Sequence, residues 1–524
     1  MWPLRTSGIL GKRIGNWFVC VLTLIVWLRT LFPVYRQYIC LKHVIISMKV
    51  KYACFIISIF CLLFSCSDDD FTTSSSVSPL HFSTDTVDMD TVFANVPTST
   101  RTFWVYNRSG ANVRLSSVRL AGGNQQGYRV NVDGTYLSAE SGFQTNNLEV
   151  HKNDSIRVFV ELTSPKATSE GLELIEDKLV FSQLGGMEQR VLLRARSWKA
   201  RSVKNLRIRR DTTLTGETPI IVYGKIQVDS AATLTLAPGT MLFFHDKAGI
   251  DVYGRLLVKG TAEANVVLRG DRLDKMFSYL PYDRVSGQWA GVHIYEHSYG
   301  NEFENMDLHS SFDGLRIDSS DVSKTKLVMK AVTIHNCQGF GVLADNSLIE
   351  MQNCQISNTQ NDCVRINGGK VSLTHCTLAQ FYPFGANRGA ALWVTFNKYP
   401  LTSLVVQNSL LTGYANDILM LGKEEKDKGL LMTFRDSRIR MPKLEVPYTN
   451  AKFENVTYEN AADTTQSPRN TFAVFDEKNL YYDFRLKKGS GAIDAANALW
   501  ALPTDRKGAA RDAKPDLGAY EYKE

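Results

Sequence analysis

From Leu80 to Lys199 the chain alternates apolar and polar residues in short runs, among them Thr102-Phe-Trp-Val-Tyr-Asn107, Val113-Arg-Leu-Ser-Ser-Val118, Ile156-Arg-Val-Phe-Val160 and Arg190-Val-Leu-Leu-Arg194. Successive side chains of a strand point to opposite faces, so a period of two marks a strand with one face buried. Turn signals at Gly122-Gly123, Asp133-Gly134 and Gly185-Gly186 punctuate the runs. The pattern predicts a β-sandwich over 80–200.

Beyond 205 the pattern becomes a repeat. Short strands recur with a common ending in Val332-Thr-Ile-His-Asn-Cys337, Ile349-Glu-Met-Gln-Asn-Cys354, Val371-Ser-Leu-Thr-His-Cys376, Leu404-Val-Val-Gln-Asn-Ser409 and Met432-Thr-Phe-Arg-Asp-Ser437. Interleaved with them are Asp313-Gly-Leu-Arg-Ile317, Phe340-Gly-Val-Leu-Ala344, Asp362-Cys-Val-Arg-Ile366, Ala390-Ala-Leu-Trp-Val394 and Asp417-Ile-Leu-Met-Leu421, stepping by 27, 22, 28 and 27 residues. Irregular repeats of this length, each with two or three short strands, predict a parallel β-helix over 205–480, in which stacked rungs bury a core no single rung can bury. The fold class expected is therefore all-β, a β-sandwich followed by a parallel β-helix. Strand alternation sends Leu315, Val342, Val364, Leu392 and Leu419 inward. Arg316, Leu343, Arg365, Trp393 and Met420 then form an outward column, with Asp318, Asp345, Asn367 and Thr395 in a second one beside it. The common ending aligns Cys337, Cys354 and Cys376 as an inward stack of free thiols, with Asn336 and Asn353 as turn residues. No Cys-x-x-Cys spacing suggests zinc.

Charge changes the picture at one end only. There are 60 Lys and Arg against 53 Asp and Glu, but eight of the bases and no acid fall within residues 1–66. The body is near neutral, which excludes a basic nucleic-acid-binding surface. Two apolar runs lie in the leader. Trp17 to Leu28 is short for a membrane span of roughly 20 residues. Ala53 to Phe64 follows the charged stretch Met48-Lys-Val-Lys51 and ends Leu63-Phe-Ser-Cys66, then Ser67-Asp-Asp-Asp70. This resembles a bacterial lipoprotein signal over 48–65, with Phe64 larger than usual, and the acidic run resembles a surface-export signal of some Gram-negative lipoproteins. The resemblance implies lipidation at Cys66, a flexible tether over 66–79 and membrane attachment at the outer face of the outer membrane. The competing reading is an uncleaved anchor helix. Since Met48 opens a complete signal, 1–47 reads as an extension upstream of the native start.

Further segments carry a family resemblance. Phe82-Ser-Thr-Asp-Thr-Val87, Asp90-Thr-Val-Phe93, Tyr128-Arg-Val-Asn-Val-Asp-Gly134 and Asn153-Asp-Ser-Ile156 resemble an immunoglobulin-like module. Leu234-Thr-Leu-Ala-Pro-Gly-Thr240, Ile250-Asp-Val-Tyr-Gly-Arg-Leu-Leu-Val-Lys-Gly-Thr261 and Trp289-Ala-Gly-Val-His-Ile294 resemble entry coils of pectate-lyase-like, right-handed β-helix proteins. Gly489-Ser-Gly-Ala-Ile-Asp494, Asp505, Arg511 and Pro515-Asp-Leu-Gly-Ala-Tyr-Glu-Tyr522 resemble their C-terminal cap, expected over 481–524. The resemblance implies a bacterial surface lipoprotein with a polysaccharide as ligand.

Catalytic motifs are weaker. Gln360-Asn-Asp-Cys-Val364 echoes the paired-aspartate motif of polygalacturonases, but Asn361 stands where the first aspartate belongs, and one Asp362 cannot serve as both acid and base. Asp362 reads instead as a turn residue entering a strand. A uronate lyase needs a charge-neutralising group and a base. On the outward columns Arg365 and Arg316 are the candidate catalytic residues, and Asp318, Asp345 and Asn367 the candidate Ca²⁺ ligands. Trp393, and Phe277, Tyr279 and Tyr282 in the insertion Arg272 to Arg284, are candidate glycan-binding aromatics. His293, His297 and His309 share no face assignable from spacing. The leading expectation is a non-catalytic glycan- or partner-binding face with no cofactor. The alternative is a polysaccharide lyase acting on an acidic glycan with Ca²⁺.

Overall fold

The computed structural model describes residues 77–524 apart from 166, 168–170, 417, 423–429, 446, 447 and 461. The leader, Cys66 and most of the tether lie outside the described residues, as does Asp417. The first part of the described chain is a β-sandwich. His81–Phe82, Arg101–Tyr106, Ser155–Leu162, Tyr128–Val132 and Thr135–Tyr136 make one five-stranded sheet, and Thr86–Phe93, Glu188–Trp198, Leu172–Gln183, Val113–Leu120 and Gln144–Val150 the other. Neighbours are antiparallel except Thr86–Phe93, which pairs in parallel with Glu188–Trp198. The apolar positions of the alternating runs meet between the sheets: Val105, Leu115, Val130, Val158, Val160, Leu179, Val191 and Leu193 are all buried there.

The chain enters the solenoid at once. The strand after Trp198, Arg201–Ile208, already pairs in parallel with Ile220–Val228 one turn on. An aromatic cluster ties sandwich to solenoid, with Phe93 and Trp198 packed on Ile221 and Phe243 and ring centroids 4.9–6.0 Å apart. From here the molecule is a right-handed β-helix with three short strands per turn. One turn is Gly291–Ile294, Asn301–Glu304 and Met306–His309, and each pairs in parallel with Leu315–Ile317, Thr325–Lys330 and Thr333–Cys337 of the next. The three stacks form a first, second and third face around one continuous core. Aromatics stack within it, as Trp289 does on Phe244 at 4.2 Å between centroids.

The corner between second and third faces is built from the left-handed backbone conformation. Asn305, Ala331, Asn353, His375, Asn408, Asp436 and Asn455 occupy it in successive turns, with φ from 45° to 54°. Asn tolerates this region better than other L residues, because its short side chain hydrogen-bonds locally. The cysteine stack requires correction. Cys354 and Cys376 follow this corner on consecutive turns, but Cys337 lies one strand further on and registers with Thr359. Asn336 (φ 54°) likewise belongs to a second left-handed corner, with Ser310 and Asn358, and not to that of Asn353. Two corners with the same Asn-then-small-residue chemistry look alike in sequence. All four described cysteines are buried free thiols.

The C-terminal cap lies along the flank. A hairpin of Phe472–Asp476 and Tyr481–Leu486 packs Phe472 and Phe484 on Phe381 of the third face. The tail then runs past several turns. Asn408 exchanges two hydrogen bonds with the Asn497 backbone, Asn353 Nδ2 donates to Thr504 O at 2.7 Å, Arg506 Nε donates to Thr333 Oγ1, and Tyr520 Oη donates to Gln355 Oε1 at 2.6 Å. The charged residues of the cap motif lock this tail. Arg511 pairs with Glu521 at 3.0 Å, their side chains 1% and 2% exposed. Gly518 (φ 86°) lies where a Cβ would sit 2.5 Å from Thr377 Oγ1, so only glycine suits that bend.

Candidate functional site

The first face carries the outward columns expected from alternation. His293 registers with Arg316, Arg316 with Leu343, Leu343 with Arg365, Arg365 with Trp393 and Trp393 with Met420. Asp251 precedes His293 in the same column, and Asp345, Asn367 and Thr395 follow one another in the second. At the sandwich end of the face, Tyr253 stacks on Tyr295 with centroids 4.0 Å apart, and His293 stacks on Tyr295 at 3.8 Å. The two tyrosines were missed in the sequence, because each occupies an outward position just past a strand end and only the register brings them together beside His293.

Within the columns the candidates are partly committed to one another. Arg365 lies over the Trp393 ring at 4.6 Å, reaches Asp362 Oδ2 at 3.4 Å and approaches Asn367 Oδ1 at 3.4 Å. Trp393 is therefore half-buried under a guanidinium, not the freely exposed platform expected. Arg316 is exposed. Asp318 accepts from His293 Nε2 at 2.9 Å, whereas Asp345 accepts from Asn367 Nδ2 at 2.6 Å. The three proposed Ca²⁺ ligands are thus divided between partners, and Asn367 turns a nitrogen donor toward the carboxylate where a Ca²⁺ site needs oxygen. Among the described residues, donor atoms of three His, Cys, Asp or Glu side chains converge elsewhere, at Asp307, His309 and His335 on the third face.

Two carboxyls at the edge of the first face have the raised affinity for protons that acid catalysis uses. Burial pushes Asp313 and Asp362 above the ordinary carboxyl range, against the pull of backbone N–H groups and arginines. Both are structural turn residues. Asp313 accepts from Phe340 N and Asp362 from Ala390 N, each one turn ahead, at 2.8 and 2.7 Å.

The insertion aromatics separate into two environments. Phe277 and Tyr279, 54% and 44% exposed, stack on each other at 5.7 Å at the tip of a small hairpin. Tyr282 is not part of that pair: it is half-buried beneath the Arg272 guanidinium, 3.9 Å from the ring centroid. The hairpin leans toward the sandwich, Lys275 Nζ lying 3.4 Å from Asp90. His297 is exposed in a turn.

A family profile described as "Right handed beta helix region" matches residues 282–429. No curated protein matches. Among solved structures, the chain is similar to a Yersinia enterocolitica family 28 exopolygalacturonase, with 9% identity over 70% of this chain and 92% of that one and a TM-score of 0.28. It is also similar to the catalytic domain of a GH87 α-1,3-glucanase, with 10% identity, 71% and 90% coverage and a TM-score of 0.19. Over 26% of this chain and 96% of the other, it is similar to a PapD-like domain of human CEP192, with 13% identity and a TM-score of 0.16. Scores this low transfer no activity, and what the comparisons establish is the right-handed β-helix.

Proposed function

We propose that this protein is an outer-membrane-anchored surface lipoprotein, lipidated at Cys66, whose first face binds a polysaccharide without cleaving it. The observation that carries the reading is the pair of adjacent columns on that face, in which aromatic rings at the two ends flank a central run of charged and amide groups. Tyr253, Tyr295 and His293 offer stacking surface at one end, and Arg365 with Trp393 offers it at the other. Between them Arg316, Asp318, Asp345 and Asn367 supply donors and acceptors at the rung spacing of roughly 4.8 Å. A rigid solenoid holds all of them with little ordering cost on binding. The commitment of Asp313 and Asp362 to backbone N–H groups supports binding over hydrolysis.

The test is retention of the purified protein on immobilised acidic and neutral polysaccharides, with and without Ca²⁺, while unsaturated and reducing ends are followed. The expected result is retention by one polysaccharide, weakened at least tenfold in Tyr295→Ala and Trp393→Ala, with no new ends. New unsaturated ends that vanish in Arg365→Ala would replace this reading with the lyase. Lipidation is checked by labelling with a radioactive fatty acid, which Cys66→Ala should abolish.

A further inference from the structure

The third face holds a second constellation, independent of the glycan-binding reading. Strand alternation points Asp307 and His309 of Met306–His309 outward, and His335 registers with His309 on the next turn. Asp307 Oδ1 lies 3.0 Å from His309 Nδ1 and 3.3 Å from His335 Nε2. The imidazoles stack with centroids 4.7 Å apart and planes 24° from parallel. One donor atom from each residue lies within 4.8 Å of the other two. In a tetrahedral site with bonds of about 2.0–2.1 Å, ligand atoms are about 3.3 Å from one another. Two of the three edges already have about that length, and the third, between the two imidazole nitrogens, is no longer than 4.8 Å.

The surroundings of the cluster are polar as well. His309 is only 7% exposed, and its Nε2 is buried without a hydrogen-bond partner; Asp283 Oδ1 is also buried and unpartnered. Both residues line one cavity of about 310 Å³, together with Asp307, His335, Asn336, Tyr481 and others. A buried nitrogen or oxygen without a partner loses its hydration for nothing, so these two atoms mark a polar pocket beside the cluster; with Nδ1 turned to Asp307, His309 Nε2 faces away from the ion and is left for a water or ligand. The cavity lies between the third face and the C-terminal hairpin, whose Tyr481 and Tyr482 line its outer wall.

We propose that Asp307, His309 and His335 bind a first-row transition-metal ion of the Zn²⁺ type, with a remaining coordination position open to this cavity. Two imidazoles and one carboxylate suit Zn²⁺ or its neighbours and not Ca²⁺ or Mg²⁺, which prefer all-oxygen shells. Three protein ligands beside a cavity match an open site, where a water or a ligand oxygen completes the shell, and not a closed structural one.

The test uses the full-length protein, stripped with EDTA and free of any affinity tag, titrated with Zn²⁺ and then with Co²⁺. The expected result is one Zn²⁺ per chain, a raised unfolding temperature, and a Co²⁺ absorption band of four- or five-coordinate type. Affinity should fall at least tenfold in His335→Ala and in the near-isosteric Asp307→Asn. It should stay unchanged in His245→Ala, which removes a histidine paired with Asp271 at 2.7 Å on another turn. Failure of the wild-type protein to bind stoichiometrically, or binding that neither third-face variant weakens, would overturn the proposal. Because Asp307→Asn keeps side-chain size, an unfolded His335→Ala variant would leave the question decided by the other.

Discussion

The first and third faces of the solenoid are made of the same kind of strand, yet they end in opposite environments. On the first face Leu392–Thr395 alternates between buried and half-buried residues, as a sheet with one wet side does. On the third face Gln355–Thr359 and Thr377–Gln380 are buried at every position. The outward residues there are polar, including Gln355, Ser357 and Thr377, and alternation alone assigns them to solvent. They are instead met by the C-terminal tail: Tyr520 donates to Gln355, and Thr377 Oγ1 accepts from Ala519 N. The difference teaches that period-two patterning separates inside from outside in a single sheet but does not tell a wet outside from one covered by a later segment. It also places the two sites: broad and open on the first face, recessed beneath the hairpin on the third.

The comparison is broken most forcefully at the lock of the tail. Arg511→Met leaves Glu521 buried and unpaired, and is expected to cost about 3–5 kcal/mol in urea unfolding. A loss below about 1 kcal/mol would show that the tail does not hold the third face closed. Next comes acid sensitivity on the covered side. Burial, helped by Arg511, depresses the His375 pKa to about 3 from 6.5. Between those values the unfolded chain takes up a proton that the folded chain refuses, so stability falls as pH drops through this window. His375→Asn, which keeps a residue suited to the left-handed corner, should lose less, the gap growing by up to about 1.4 kcal/mol per pH unit. Parallel pH profiles of the two proteins would contradict the assignment of a neutral buried imidazole.

A smaller effect concerns the corner where the second and third faces meet. Ala331 holds φ 54° between two asparagines of the same ladder, Asn305 and Asn353. Ala331→Asn is therefore expected to stabilise by about 0.5–1 kcal/mol, read as a higher denaturation midpoint at unchanged slope. Smallest of all is Arg316→Ala on the open face, expected to move stability by no more than about 0.5 kcal/mol. A larger loss would mean that the open face is tied down much as the third face is.

The outward columns of the first face were legible because side-chain direction in a strand is a local property, and the repeat spacing supplied the stacking partner. Arg316, Leu343, Arg365, Trp393 and Met420 follow from those two facts. Asp362 as a turn residue was legible for the same reason. The aligned cysteines misled, because the two left-handed corners share a chemistry and only hydrogen-bond register tells Cys337 from Cys354. The Asp307, His309 and His335 cluster was out of reach. Its residues are local to two strands, but the buried character of His309 comes from a hairpin more than 160 residues later.

By itself the sequence determined the all-β class, the sandwich, the parallel solenoid and which side chains leave its core, since each depends on alternation and period within one segment. The tertiary structure alone decided which outward face is covered, which carboxylate meets which histidine, and that the Arg365 guanidinium lies over the Trp393 ring. Those outcomes depend on contacts between residues far apart in the chain, and such contacts leave no periodic trace in the order of the residues.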